Sequence, residues 1–356
     1  MSEDTWEIPE EAPMGLDDFD FVEAYDDEPS VDKRMLEENT APSAINCAFI
    51  GIGGGGKMAK AFLDLGFNKT LLINTTEKDQ PYGINPENFL LLPGADGVGK
   101  DIKLGKEVLA NNSTLVEDAL RTRVGKVDWL FVLAGAGGGT GSASYVLHKS
   151  MSRYLSSIES VGKIVYIVSK PSGQELLNPT IKTNCDLLLK DIKKHPHIII
   201  DNEKQLQLLR GKVGMLNMYP AANKNFAKLL AQVLKLANEA SPIQAFDSKD
   251  LERCLKTNGR LLIGSTVIRD PTISNLGAAV FQGCVRSSPC PNPTNQSKTG
   301  VLLLITTPDL IDDPDISKRL ESAFSYVGGR AETLFSGVYV REKLPGIIAL
   351  TIMGGM

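Results

Sequence analysis

The chain has 356 residues, 42% of them hydrophobic and 23% charged, with a formal net charge of -5. That balance is the one expected of a soluble globular protein, and no apolar run approaches the roughly 18 residues that would span a bilayer, which excludes membrane insertion. The acidic N-terminus has no basic region followed by an apolar stretch, so no secretory signal is expected and the cytoplasm is the expected location.

The charge is unevenly spread. Residues 1–40 hold 15 Asp or Glu against Lys33 and Arg34, a formal -13, which leaves +8 on the remainder. A segment such as "MGLDDFDFVEAYDDEPS" cannot bury enough apolar area to offset its ordering entropy, so residues 1–43 are expected to form a disordered acidic arm. The arm either serves as a solubilising tail or docks on a basic face, in its own chain or a neighbour's, with Phe19, Phe21 and Tyr25 as anchors.

From residue 44 short apolar runs alternate with helical stretches: "INCAFIGI", "KMAKAFLDLGF", "TLLINTT", "VDWLFVLAG", "SASYVLHKSMSRYLSSI", "GKIVYIVSK", "NCDLLLKDIKKH" and "PHIIIDN". Continuous apolar strands joined by helices predict a parallel sheet covered on both faces, an α/β nucleotide-binding domain over 44–219. Phe226, Leu229, Leu230, Val233, Leu234 and Ala237 recur at helical spacing and predict one long helix over 220–240. From 241 to 356, strands with few intervening helices predict a smaller α+β domain, and the length suits a second domain with its own core. The loop "SSPCPNPTNQSKTG" reads as exposed and flexible.

Five scattered cysteines, Cys47, Cys185, Cys254, Cys284 and Cys290, suit reduced thiols, with no C-x-x-C pair to suggest zinc. His195 and His197 lie at a helix-to-strand handover with no further ligands nearby, so they read as a plain loop and no metal ligand is assigned.

Two glycine-rich stretches carry the chemistry. "GIGGGGKMAKAF" runs from a strand into a helix, where unpaired N–H groups and close backbone approach suit a phosphate. Gly51, Gly53 and Gly56 satisfy the dinucleotide pattern, and Gly51, Gly56 and Lys57 nearly satisfy the P-loop. Met58, however, stands where a P-loop needs a hydroxyl for magnesium, and Asn74 stands where a nicotinamide site wants an acid, with Glu77 too late. Neither alternative needs the second stretch, "AGAGGGTGSA", in which Gly135, Gly137, Gly138, Gly139 and Gly141 expose the backbone and Thr140 and Ser142 add hydroxyl donors. Two such turns in one sheet can grip the phosphates of one nucleotide from two sides.

At "GAGGGTGSA" the chain resembles the tubulin/FtsZ superfamily of polymerising GTPases, whose signature is a GGGTG[ST] turn, and the resemblance extends over about residues 44–356. It implies a parallel-sheet GTP-binding domain, a long central helix and a smaller α+β activation domain, with GTP or GDP and Mg2+ as cofactors. Gly53, Gly54, Gly55, Gly56 and Lys57 correspond to the family's first loop, and Asn74 and Thr75 to its NTD-type loop. Gly94 and Ala95 fall at the γ-phosphate loop, Gly137 to Ser142 at the signature turn, and Glu175 at the ribose. Asn223, with Asn225 in reserve, would read the guanine edge.

Asp247 and Asp250 in "AFDSKDL" match the D-x-x-D loop that the family inserts into the next subunit's site to position the attacking water. Asp247 can also be read simply as a helix cap. Several positions depart from the family pattern: Lys57 and Met58 replace polar residues, Thr76 an aspartate, Pro179 an arginine and Ala245 an asparagine, and the γ-phosphate loop is about three residues shorter. The sequence stops at "ALTIMGGM" without the adaptor-binding tail of division tubulins, which favours a divergent role such as DNA segregation or a phage-encoded filament. The expected activity is GTP hydrolysis coupled to head-to-tail homopolymer assembly; the alternatives are a nucleotide-binding scaffold with little turnover and, more remotely, an NAD-dependent oxidoreductase. No nucleic-acid motif or membrane segment accompanies these features.

Overall fold

The computed structural model describes residues 35–356; residues 1–34, with Phe19, Phe21 and Tyr25, lie outside the described residues. Residues 35–43, which the sequence assigns to the arm, belong to the body's compact unit. Leu36 is buried and its N–H donates to Arg123 O (2.7 Å), Asn39 Oδ1 accepts the Lys69 N–H (2.9 Å), and Glu38 pairs with the buried Lys69 ammonium at 2.7 Å. These contacts hold a stretch whose composition alone reads as arm.

The first half of the chain runs β1 (Cys47–Ile52), α1 (Gly56–Leu63), β2 (Thr70–Asn74), β3 (Phe89–Leu91), α2 (Ile102–Asn111), α3 (Ser113–Ala119) and β4 (Trp129–Gly135). It continues through α4 (Gly139–Ser142), α5 (His148–Ser157), β5 (Ile164–Lys170), α6 (Pro179–Ile192), β6 (Pro196–Asp201) and α7 (Asn202–Leu209). The long helix α8 (Met218–Leu236) leads to α9 (Ser248–Lys256), β7 (Gly259–Ile268), α10 (Leu276–Ser287), β8 (Ser297–Thr306), α11 (Pro308–Asp312), α12 (Pro314–Gly328), β9 (Ala331–Val340) and β10 (Ile347–Gly354).

A single ten-stranded sheet takes the order β3-β2-β1-β4-β5-β6-β7-β10-β8-β9. Every pairing from β3 to β7 is parallel, and β10 alone runs antiparallel to its neighbours β7 and β8. β1 and β2 are buried at every residue, as strands covered on both faces must be. Side chains alternate between the faces, so Phe49, Phe131 and Ile167 enter one core while Ile50, Val132 and Tyr166 enter the other.

The first of these cores runs through both halves of the chain. Phe49 stacks on Phe62 (centroids 3.9 Å), Phe62 meets Phe226 of α8 edge-on (6.1 Å), and the same cluster reaches Leu303 and Met353. Residues 241–356 therefore share a core with the first half instead of building a separate one. The reason is that β6 and β7 pair directly, Pro196 opposite Gly259, and α8 packs between α1 and β7. The loop at 287–300 also differs from expectation: Ser288 and Cys290 are buried, Ser288 Oγ donates to Ile263 O (2.6 Å), and Pro289 O accepts the Asp201 N–H (2.9 Å).

At 1.5 Å per residue α8 is about 28 Å long. Its C-terminal end meets the entry to β1, where Leu234 O accepts the Ala44 N–H (2.9 Å). There the buried Tyr339 Oη donates to Leu236 O (2.7 Å) and accepts the Phe246 N–H (3.2 Å), tying the helix to the segment that precedes Asp247. Tyr339→Phe leaves both backbone groups without this partner, so urea unfolding should show a loss of about 1–3 kcal/mol with an unchanged slope.

Candidate functional site

Because β1 to β5 run parallel, the turns that follow them emerge along one edge of the sheet. After β1 the chain turns through Gly53–Gly55 into α1, and after β4 through Ala136–Gly138 into α4. These turns touch. Gly53 has φ +56°, and a Cβ on it would lie 2.9 Å from Gly141 N and 3.0 Å from Thr140 Cβ. Gly54 is exposed and its Cβ direction is open; Gly55 and Gly56 are buried, Lys57 is exposed, and Met58 faces the core.

The turn after β2 joins them. Asn74 and Thr75 are buried, Asn74 Oδ1 accepts the Thr75 N–H (2.8 Å), and the Thr75 and Thr140 hydroxyls are hydrogen bonded at 3.1 Å. The loop after β3 is stitched across both: Gly97 N–H donates to Thr75 O (2.7 Å), and Gly99 O accepts the Gly139 N–H (2.8 Å). Gly94, exposed, and Ala95, half-buried, sit in that loop beside Asp96. Asp96 accepts hydrogen bonds from Thr76 Oγ1 (3.1 Å) and Lys78 Nζ (2.9 Å), which hold its carboxyl below the usual range. Gly137 and Gly138 are accessible, Gly139 to Ser142 are buried, and Ser142 Oγ has no hydrogen-bond partner among the described residues.

After β5, Glu175 accepts from the Ser172 N–H (2.8 Å) and Oγ (2.9 Å). Pro179 opens α6 behind the cap Asn178, and Asn184 of α6 donates to Gly137 O (3.4 Å) and Lys100 O (2.8 Å). Tyr219, near the start of α8, has its phenol pushed up by burial and by the charges of Glu175 and Glu203, so this end of the helix lies beside the β5 turn. Asn223 follows Tyr219 by one helical turn and shares its face, whereas the exposed Asn225 does not.

Asp247 and Asp250 are not brought to this edge. They follow the Phe246 link to the far end of α8. Asp247 is the N-cap of α9, accepting the Asp250 N–H (2.9 Å), and the half-buried Asp250 lies 3.8 Å from Arg253. Burial, then the Asp247 charge, raises the Asp250 carboxyl.

His148 and His195 belong to a separate aromatic cluster with Tyr145 and Tyr166. His197 lies within β6 and not in a loop, while His195 Nε2 is hydrogen bonded to Tyr145 Oη (3.0 Å). His148 Nδ1 is hydrogen bonded to Tyr166 Oη (2.7 Å), and the His148 and His195 rings lie 4.3 Å apart. Among the described residues no group of three or more His, Cys, Asp or Glu could hold a metal, and no helix is long and apolar enough to cross a membrane. The sequence reading of the loop after β3 names Gly94 and Ala95, and the pairing of Asp96 with Thr76 and Lys78, 20 and 18 residues earlier, is visible only in the structure.

No family model matches the chain. Among curated proteins it is 23% identical to cell division protein FtsZ 1 of Pyrococcus furiosus over 65% of this chain and 60% of that protein. It is also 25% identical to cell division protein FtsZ of Wigglesworthia glossinidia brevipalpis, over 48% of this chain and 42% of that protein. The chain thus spans only 42% to 60% of these relatives' length. A solved structure of a GTPγS-form protofilament of Bacillus thuringiensis serovar israelensis TubZ is 19% identical and superposes with a TM-score of 0.73, covering 90% of this chain and 91% of that one. A GTPγS-bound protofilament of CetZ2 from Haloferax volcanii is 22% identical with a TM-score of 0.70, covering 87% and 93%. The fold is the one that these TubZ and CetZ2 structures share, and it agrees with the architecture that the resemblance of the glycine turns leads one to expect.

Gly53→Ala should cost about 1–3 kcal/mol in urea unfolding, since it strains a left-handed residue and presses on Gly141, whereas Gly54→Ala should be near neutral. A second measurement follows from His148, whose imidazole is driven down to about 4 by burial and then by His195. The native state holds it neutral while the unfolded chain protonates near 6.5, so stability should fall as pH drops from about 6.5 towards 4, and His148→Gln should flatten that dependence.

Proposed function

We propose that the chain binds GTP at the edge formed by the two glycine turns and assembles head to tail, each copy lending Asp247 and Asp250 to its neighbour's site. The observation that carries this reading is a separation: the turns of β1, β2 and β4 meet at one edge, while the aspartates hang from the other end of α8. A pair that cannot serve its own edge can serve a second copy's. Such a contact is heterologous and does not close on itself, which yields filaments. The solved TubZ and CetZ2 relatives, both GTPγS-state protofilaments, support the same general kind.

The residues present fit a nucleotide. The open Gly54, the accessible Gly137 and Gly138 and the unpartnered Ser142 Oγ suit phosphates. Glu175 and Asn223, beside Tyr219, suit the ribose and the guanine edge. Mg2+, when bound, would neutralise phosphate charge. Asp250, whose carboxyl is less committed than the capping Asp247, would orient the attacking water in trans.

A second reading is favoured by Asp247 itself. Its side chain is engaged as a cap, Thr76 and Ala245 lack the carboxylate and the amide that the resemblance leads one to expect, and a filament that binds nucleotide but turns it over slowly would result. Phosphate release and right-angle light scattering on one sample, across protein concentration, separate the two. Turnover that appears with scattering above a threshold supports the GTPase, scattering without turnover supports the scaffold, and turnover without scattering overturns the role in trans. Asp250→Ala should assemble with GTP and release phosphate roughly 10²-fold more slowly. Asp247→Asn keeps a competent cap, so any rate it loses reports the charge alone.

A further inference from the structure

We propose that the four rings of Tyr145, His148, Tyr166 and His195 form a proton-operated latch on the turn after β4, closed while both imidazoles are neutral and released when they take up a proton. The latch acts on the turn that the nucleotide reading above assigns to phosphates, and its role in binding rests on that reading.

The rings come from separate pieces of chain. Tyr145 lies in the short helical turn Ser144–Leu147, His148 opens α5, Tyr166 is the third residue of β5, and His195 stands between the end of α6 and the start of β6. Tyr145 stacks on His148 with centroids 5.1 Å apart, and the His148 and His195 rings lie 4.3 Å apart. Each imidazole is tied to one phenol, His148 Nδ1 to Tyr166 Oη at 2.7 Å and His195 Nε2 to Tyr145 Oη at 3.0 Å. Both bonds join the stretch that leaves the glycine turn to something outside it, one to β5 and the other to the end of α6.

The same pieces frame the turn. Ser144–Leu147 follows α4 after one residue, and α6 touches the turn through Asn184, which donates to Gly137 O (3.4 Å) and to Lys100 O (2.8 Å). A change that parts Tyr145 from His195 is thereby passed to both sides of residues 137–142.

A neutral imidazole can accept from a phenol or donate to it, and a turned hydroxyl can meet an imidazolium as well. What the rings cannot meet is the charge. A cation on His148 lies against the His195 ring, and a second proton would set two cations face to face. The other charges that reach these groups are also cationic. Lys163, directly before β5, acts on His195, while Arg260 of β7 acts on the buried His197, whose Nδ1 is hydrogen bonded to His195 O (2.8 Å). Tyr145 and the buried Tyr166 supply neutral phenols, and no carboxylate is among the groups that shift any of the three histidines.

The sign follows. In the closed form burial, then His195, drives His148 down to about 4. A released imidazole is an ordinary one near about 6.5, so acid favours the released form, by about tenfold at pH 5.5 and hardly at all at pH 7.5. Linkage is reciprocal, so a nucleotide that binds the closed turn must hold these imidazoles deprotonated.

The test measures calorimetric affinity of the full-length chain for GDP, below the concentration at which scattering begins, between pH 7.5 and 5.5. Because nucleotide phosphates titrate in the same range, the readout is the difference between wild type and His148→Gln, whose amide can still bond Tyr166 and takes up no proton. Wild type should lose on the order of tenfold more affinity over this range than His148→Gln. Tyr145→Phe, which unties His195 and leaves both imidazoles in place, should bind more weakly than wild type already at pH 7.5 and lose less on acidification. Hydrogen exchange of the unliganded chain, corrected for its intrinsic pH dependence, should quicken over residues 137–147 at pH 5.5 in wild type and stay unchanged in His148→Gln.

Equal pH dependence in wild type and His148→Gln overturns the latch. So does exchange that quickens across the whole sheet together, which would mean that protonation unfolds the molecule and does not release one turn. Failure of wild type to bind GDP even at pH 7.5 would overturn the nucleotide reading, and exchange over residues 137–147 would then support or overturn the latch by itself.

Discussion

The contact on which the glycine edge depends is one that leaves no room for a side chain on Gly53. The turn after β1 meets the turn after β4 there, and a Cβ on Gly53 would press on Gly141 N and on the Thr140 side chain. The parallel direction of β1 and β4 brings the turns side by side, and the small residues let them close. The loop over residues 94–99 then fastens to both through Thr75 O and the Gly139 N–H, so four segments far apart in the chain are fixed to one another mainly by backbone groups. A site built this way tolerates much change in its exposed side chains and little in its turns, which agrees with a fold shared at 19% to 22% identity.

How much could be read in advance follows from the range of each interaction. β1, β4, β5 and β6 are legible because strands buried on both faces must be apolar throughout, and α8 is legible because its buried stripe recurs every three or four residues. The capping role of Asp247 is local and was open to view. β3 is three residues long and leaves too short a pattern to detect. The parallel pairing of β6 with β7 joins residues some sixty positions apart and has no local signature, so separate cores are the natural expectation where the molecule builds a shared one. The loop at 287–300 looks polar and proline-rich, yet its first residues are drawn in by backbone bonds to β6 and β7. At the glycine edge, residue types announce the turns, but which carboxylate stands next to which hydroxyl depends on contacts twenty residues or more apart, as between Thr76 and Asp96.

The two ends of α8 differ in chemistry as well as in position. One end approaches Glu175 and Glu203 through Tyr219, in polar and partly exposed surroundings; the other closes on Ala44, Tyr339 and Phe246 in the apolar core. The helix is thus tied by buried hydrogen bonds at the end that leads to Asp247, while its first turn is partly exposed beside the turn after β5.

The five thiols add a property of a different kind. Cys47, Cys185, Cys254, Cys284 and Cys290 are all buried and unpaired, and burial pushes Cys47 and Cys254 up to about 12 and Cys185 to about 11. A thiol reagent needs both access and thiolate, and the native chain denies it each. Labelling at neutral pH therefore proceeds only through opening. Because the five sit on β1, α6, α9, α10 and the loop before β8, the order in which they react is a built-in record of which parts of the molecule come apart first.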